Sequence, residues 1–220
     1  MGNTQTPPFV LEVRRLSKAF GGLKVTHDVS FAIPRGELSA IIGPNGAGKT
    51  TLFNLITGKL VPDAGEVLFK GERIDGRSPA DIARKGIGRS FQITSIFKER
   101  TVLENVLVSV LSREKKAARL FRRATAYHEA VREAIEILAT LSLDAKAGEM
   151  AGSLPHGDQK RLDIAVALAL NPELVLLDEP MAGMSPEERS VTVDLIRKIW
   201  KEKALTLLFI EHDMDVVFRI

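Results

Sequence analysis

Residues 38–56 read LSAIIGPNGAGKTTLFNLI, and their reading decides the fold. Leu38, Ala40, Ile41 and Ile42 form a short apolar run bounded by turn signals, as in a buried parallel strand. Gly43-Pro44-Asn45-Gly46-Ala47-Gly48-Lys49-Thr50 then matches G-x-x-x-x-G-K-[ST], with Thr51 following. Leu52, Leu55 and Ile56 continue as one face of a helix that stops near Gly58. At ordinary residue frequencies the pattern arises by chance in roughly one chain in a hundred of this length, and the strand before it and helix after it lower that further. The glycines let successive N–H groups point inward as an anion nest, and the helix adds its positive end. Lys49 is placed to reach the β- and γ-phosphates and the Thr50 hydroxyl to reach Mg²⁺. The stretch therefore predicts a site for nucleotide phosphates.

Working outward, LVLLDE at residues 174–179 is a second apolar strand ending in two acids. Asp178 suits a Mg²⁺ shell, and Glu179 suits the polarisation of an attacking water. Residues 205–210 form a third apolar strand, followed by Glu211-His212-Asp213. Ligands of open α/β sheets lie outside the carboxyl ends of the strands. Gly43, Asp178 and His212 all follow such ends, which points to one site; His27 and His128 have no such position. Residues 9–13, 29–33 and 66–70 read as further strands. The middle, about 101–143, is helical in pattern and reads as an inserted lobe. Residues 148–157 are loop-like, and a helix runs on to Asn171 with Pro155 in its first turn. Ser185-Pro186-Glu187-Glu188 is a capping box. Strands alternating with helices predict an α/β core with a parallel sheet.

The bulk numbers are compatible with this. The 220 residues suffice for one well-cored domain with a smaller lobe, and 45% hydrophobic with 27% charged residues fits a folded, soluble chain. The absence of cysteine excludes disulfides and thiolate metal sites. No apolar run approaches the ~20 residues that span a bilayer. The start, MGNTQTPPF, has no signal-peptide pattern and reads as a disordered lead-in over residues 1–8. A net charge of +3 is weak grounds for nucleic-acid binding. Arg113, Lys115, Lys116, Arg119, Arg122 and Arg123 cluster against Glu114, as a solvated helix face or as a surface near anionic lipid.

This arrangement resembles the nucleotide-binding subunits of ABC transporters over nearly the whole chain. The P-loop, the glutamine of Arg89-Ser90-Phe91-Gln92, the segment at 154–161, LLDEP and IEHD come in that family's order. The resemblance implies a P-loop ATPase core with antiparallel N-terminal strands, over residues 9–92 and 158–220, and a helical subdomain over 93–157 carrying the signature segment. It implies ATP and Mg²⁺ as cofactors. Glu179 matches the catalytic base, His212 the γ-phosphate switch, and Lys49 the phosphate-binding lysine. Gln92 matches the glutamine that meets Mg²⁺ or water, beside Thr50 and Asp178 as metal ligands. Phe20 matches the aromatic that stacks on adenine, or is a core phenylalanine. Leu154, Pro155, His156, Gly157 and Asp158 match the signature that closes in trans over ATP held by a second cassette. Residues 91–108, FQITSIFKERTVLENVLV, the basic insert and AGMSPEE resemble the branched-chain amino-acid importers. The partners so implied are a second ATP-binding subunit, identical or not, membrane permease subunits and, indirectly, a solute-binding protein, at the cytoplasmic face of the membrane as a peripheral subunit and without nucleic acid.

Three departures stand out. The signature serine is replaced by Pro155, which has neither hydroxyl nor N–H, and Asp158 adds a charge expected to point away from phosphate. Ser185 stands where the family has an aspartate. Residues 213–220 begin a helix that family members continue, so the core reads as C-terminally incomplete. Two alternatives compete with an importer ATPase. A soluble ABC ATPase acting on nucleic acid or ribosomes is disfavoured by the single cassette and the lack of sustained heptads. A regulatory half-site is disfavoured by the presence of both Glu179 and His212. No Asn-Lys-x-Asp motif supports a GTPase.

Overall fold

The computed structural model describes residues 8–90, 96–113 and 124–219. The expected lead-in (apart from Pro8), Gln92 and most of the basic cluster lie outside the described residues.

Two sheets divide the strands. In the first, β1 (Phe9–Phe20) turns through Gly21 and Gly22 into β2 (Leu23–Pro34), and β4 (Ala64–Phe69) and β5 (Glu72–Arg73) extend it in the antiparallel order β2-β1-β4-β5. Both turn glycines have positive φ, 52° and 90°, which suits a two-residue hairpin between right-twisted strands. The pattern predicted only residues 9–13 for the first strand. Register shifts between Val13 and Leu16 and between Leu16 and Lys18, with Arg15 at φ 50°, bulge β1 and break its period-2 alternation.

The second sheet joins β3 (Leu38–Ile42), β8 (Thr206–Glu211), β7 (Leu174–Asp178) and β6 (Ile87–Arg89), all in parallel, in the order β3-β8-β7-β6. Every residue of β7 and β8 is buried, and their alternation assigns two faces. Leu174, Leu176, Leu208 and Ile210 join a core shared with the antiparallel sheet and α1 (Lys49–Ile56), centred on Phe53. Val175, Leu177, Leu207 and Phe209 join a second core with α5 (His156–Leu168) and α6 (Pro186–Lys203), continuous with residues of α3 (Val102–Arg113) and α4 (Ala124–Thr140). A parallel sheet covered on both faces needs such apolar strands. The remaining helices are α2 (Pro79–Lys85), capped by Ser78, and α7 (Met214–Arg219).

The capping box at α6 is formed as the sequence suggests. The Ser185 hydroxyl accepts from Glu188 N at 3.2 Å, and Glu188 Oε2 accepts from Ser185 N at 2.9 Å, with Pro186 in the first turn. At α5, Pro155 stands one position earlier than predicted. It is the N-cap, at φ −52° and ψ 153°, and supplies no side-chain cap. Replacing Ser185 by Ala is expected to destabilise the fold by about 1 kcal/mol, read as a lower urea midpoint at unchanged slope.

Candidate functional site

The parallel register brings three loops to one edge. Ile42 pairs with Glu211 and Asp178 with Ile210, so the residues after β3, β7 and β8 leave the sheet side by side. The first of these loops leads into α1, whose N-cap is Gly48 in the left-handed region at φ 83°. A Cβ there would lie 2.5 Å from Val25 O, so only glycine fits beneath β2. Gly46 also has positive φ, 82°. Residues 45–51 with Val25 and Glu179 line a cavity of about 350 Å³. α1 has no side-chain cap and no acid in its first turn, so its unsatisfied N–H groups form an anion site at this cavity. Lys49 is buried there, with Nζ donating to Gly43 O at 2.6 Å and Pro44 O at 2.9 Å.

Two acids occupy different levels of the site. Glu179 reaches the cavity wall from a left-handed backbone at φ 48°, strained for a residue with a Cβ, and its N–H donates to Ile210 O at 3.1 Å. Asp178 is only 1% exposed; its Oδ2 accepts from Arg89 Nη2 at 2.8 Å, while its buried Oδ1 has no partner among the described residues. His212 Nδ1 lies 3.8 Å from Glu179 Oε1, too long for a hydrogen bond but within ion-pair range for a protonated ring. Phe20 stands at the hairpin tip, 44% exposed, with Lys18 Nζ 5.7 Å from its ring centroid, so it is not a core phenylalanine and does not line the cavity.

Residues 26–182 match the ABC transporter family. The chain belongs to that family. It is 40% identical over 217 residues, 96% of this chain and 85% of the relative, to the high-affinity branched-chain amino acid transport ATP-binding protein BraF of Pseudomonas aeruginosa. It is 38% identical over 218 residues, again 96% of this chain and 85% of the relative, to LivG of Escherichia coli, which has the same description. An ATP-binding cassette of an ABC transporter solved in its ADP conformation superposes at TM-score 0.82 with 35% identity, covering 95% of this chain and 83% of that one. A nucleotide-free cassette superposes at TM-score 0.82 with 34% identity, covering 96% and 84%. The ABC cassette is thus an ATP-hydrolysing transporter subunit with the mixed α/β fold predicted. Among the described residues no helix is long and apolar enough to cross a membrane.

The signature segment of this cassette sits apart from the P-loop cavity, at the N-terminus of α5. Leu154 is buried in the helical core. His156 Nε2 is 3.2 Å from Ala182 O, which ties the turn to the loop before α6. A Cβ on Gly157 would meet Glu188 Oε1 at 2.7 Å. The Asp158 carboxylate is buried and held by Lys146 Nζ at 2.5 Å and by the Arg161 guanidinium. Its charge is committed within its own chain.

Two residues of the site were not singled out from the sequence. Arg89, at the end of β6, binds Asp178 and also Asn54 of α1 and Thr57 at its C-cap. Nothing local marks it, since its partners lie 32–89 positions away. Glu211, 2% exposed, accepts from the backbone N–H groups of Met181 and His212, and its Oε1 is buried without a partner among the described residues. Burial pushes its carboxyl above the ordinary 4.5, and Glu179 adds to this; the two N–H bonds and His212 pull it down. A larger cavity of about 660 Å³ lies by the amino ends of β7 and β8, but its arginines are paired, Arg113 with Glu133 at 2.8 Å and Arg35 with Glu173 at 2.6 Å. Size alone does not single out the P-loop cavity.

Two measurements check this geometry. Gly48→Ala is expected to weaken ATP binding about tenfold or more in titration calorimetry, because the loop must rebuild against strain of order 1–3 kcal/mol. For Glu211, both folded and unfolded carboxyls are protonated well below pH 4.5, and its burial then carries no ionic penalty. As pH rises through 4.5 towards the raised folded value, the unfolded chain ionises first and the folded state loses stability. Glutamine at 211 does not titrate, so urea denaturation should show the stability of Glu211→Gln relative to the natural chain improving as pH rises. A difference that is flat or falls with pH would contradict the raised carboxyl.

Proposed function

We propose that this ABC ATPase powers import of branched-chain or related amino acids, with Mg²⁺-ATP held at the P-loop and closed over by the signature of a second cassette. The observation that carries the catalytic part is the cavity itself, with a helix N-terminus and a buried lysine on one side and the Glu179 carboxylate on the other. The substrate class rests on the 38–40% identity to proteins named for branched-chain amino-acid transport.

In this reading the N–H groups of residues 46–51 and Lys49 bind the β- and γ-phosphates, and Phe20 offers its exposed face to adenine. A hard cation fits the oxygen donors present. Asp178 Oδ1 is buried with no partner among the described residues, and Thr50 lines the cavity. Asp178, Thr50 and Gln92 would hold Mg²⁺, directly or through water, and the ion would neutralise charge on the phosphate oxygens. Glu179 orients a water and takes its proton as the water attacks the γ-phosphorus in line with the bond to the β-phosphate oxygen, leaving ADP and inorganic phosphate. His212 faces Glu179 and senses the γ-phosphate.

In trans, the first turn of α5 offers N–H groups and its positive end to the partner's phosphate, and Pro155 offers no hydroxyl. One absent hydrogen bond to a charged group corresponds to ~1.5–3 kcal/mol, enough to slow closure without abolishing it. The helical subdomain over 93–157 docks on membrane permease subunits at the cytoplasmic face, so the cassette is a peripheral subunit. Phe97 is exposed there on a loop clamped by Asn105, whose Oδ1 accepts from Phe97 N at 2.7 Å and whose Nδ2 donates to Phe97 O at 3.1 Å.

Glu179→Gln is expected to bind ATP with unchanged affinity while turnover falls by at least about a hundredfold, as for loss of a general base. Wild-type turnover in that variant would remove Glu179 from the role. Reconstitution with permease subunits and a solute-binding protein, followed by uptake of labelled leucine, isoleucine and valine, tests the substrate class.

A further inference from the structure

We propose that Arg89 is a positioning residue of the nucleotide site, whose guanidinium holds one oxygen of Asp178 against α1 and leaves the other aimed for the cation. The inference rests on the reading of Asp178 as part of the Mg²⁺ shell.

The geometry is a three-element clamp. Arg89 leaves β6 and is almost wholly buried, its side chain 5% exposed and that of Asp178 0%. Nη2 donates to Asp178 Oδ2 at 2.8 Å, at the end of β7. Nη1 donates to Asn54 Oδ1 at 2.7 Å and to Thr57 Oγ1 at 3.1 Å, on and at the C-cap of the helix that opens at the P-loop. Thr57 Oγ1 donates in turn to Phe53 O at 2.7 Å, so its lone pairs face the arginine. The guanidinium carbon lies 5.5 Å from the centroid of the Phe53 ring. The position of the fork is thus set from α1, and the fork sets the carboxylate.

Chemistry favours arginine in this place. A planar guanidinium can donate in two directions at once, which an ammonium at the end of a flexible stem cannot. Arginine also keeps its charge when buried, as it is here. Its fork occupies Oδ2. Oδ1 is the buried oxygen without a partner among the described residues. Groups that orient a metal's carboxylate act on metal affinity rather than on nucleotide affinity. A merely structural clamp on α1 would instead disturb the P-loop and weaken the nucleotide itself.

The test reads these two affinities separately on the full chain. Mn²⁺ serves as a paramagnetic stand-in for Mg²⁺, and its binding to the ADP-loaded chain is titrated by electron paramagnetic resonance. ADP binding in excess EDTA is titrated by calorimetry. Arg89→Lys is expected to weaken Mn²⁺ about tenfold or more, with the EDTA affinity for ADP within about twofold. Asn54→Ala keeps both charges and removes one anchor of the fork; it is expected to weaken Mn²⁺ by a smaller factor, again sparing ADP, and it keeps the test open if Arg89→Lys does not fold. Asp178→Asn separates the two levels of the argument. If it leaves Mn²⁺ binding unchanged, the metal reading of Asp178 fails. If it weakens Mn²⁺ while Arg89→Lys and Asn54→Ala do not, or if those variants lose ADP affinity in EDTA in parallel, the positioning role of Arg89 is overturned.

Discussion

The parallel register of β3, β8 and β7 is the constraint from which the site follows. A slip of one residue would turn every side chain of a strand to the other face. Here that would exchange Leu174, Leu176, Leu208 and Ile210 with Val175, Leu177, Leu207 and Phe209, between two cores that differ in shape and in the helices that line them. The register is therefore held by packing on both sides of the sheet. Because Ile42 pairs with Glu211 and Asp178 with Ile210, the same packing fixes where the P-loop, the acid pair and His212 emerge. The geometry of the candidate site is a by-product of burying apolar strands.

The site then balances charge at short range. The first turn of α1 and Lys49 make one side positive, while Asp178, Glu179 and Glu211 crowd the ends of β7 and β8. Three carboxylates at two adjacent strand ends are tolerable because each is handled differently. Asp178 is neutralised by Arg89, Glu179 opens to the cavity near His212, and Glu211 is held by backbone N–H groups in a place where burial disfavours its charge. The left-handed backbone at Glu179 fits this division. It turns the chain sharply after Asp178, so that consecutive acids point to different surroundings.

What the sequence discloses follows from how local the cause is. β3, β7 and β8 are legible as apolar runs because they are buried on both faces, and the P-loop is legible because its spacing is a local backbone requirement. The capping box at Ser185 is local in the same sense. β1 past Val13 is obscured because bulges at Arg15 and Lys18 abolish its alternation, even though the Gly21-Gly22 hairpin signal is present. Arg89 is not legible, since its meaning lies in partners on α1 and β7 that only the tertiary fold supplies. The charge of Asp158 is of the same kind. Sequence shows an acid in the signature, and only the fold shows Lys146 and Arg161 around it.

The signature turn shows how a departure from a family's pattern is absorbed. Pro155 removes a hydroxyl at the N-cap of α5, but its ring fixes φ near the −52° that the turn adopts, so the helix start loses no order. The next residues are secured from the side rather than by a cap. His156 contacts Ala182 O, and Gly157 packs on the Glu188 carboxylate, which a Cβ at 157 would push aside. Glu188 is itself fixed by the capping box of α6. The orientation of α5 is thus referred to the start of α6, and through residues 181–185 to the strand end that carries Glu179. A turn that lacks a side-chain cap is held in register with Glu179 of its own chain by the helix packed beside it.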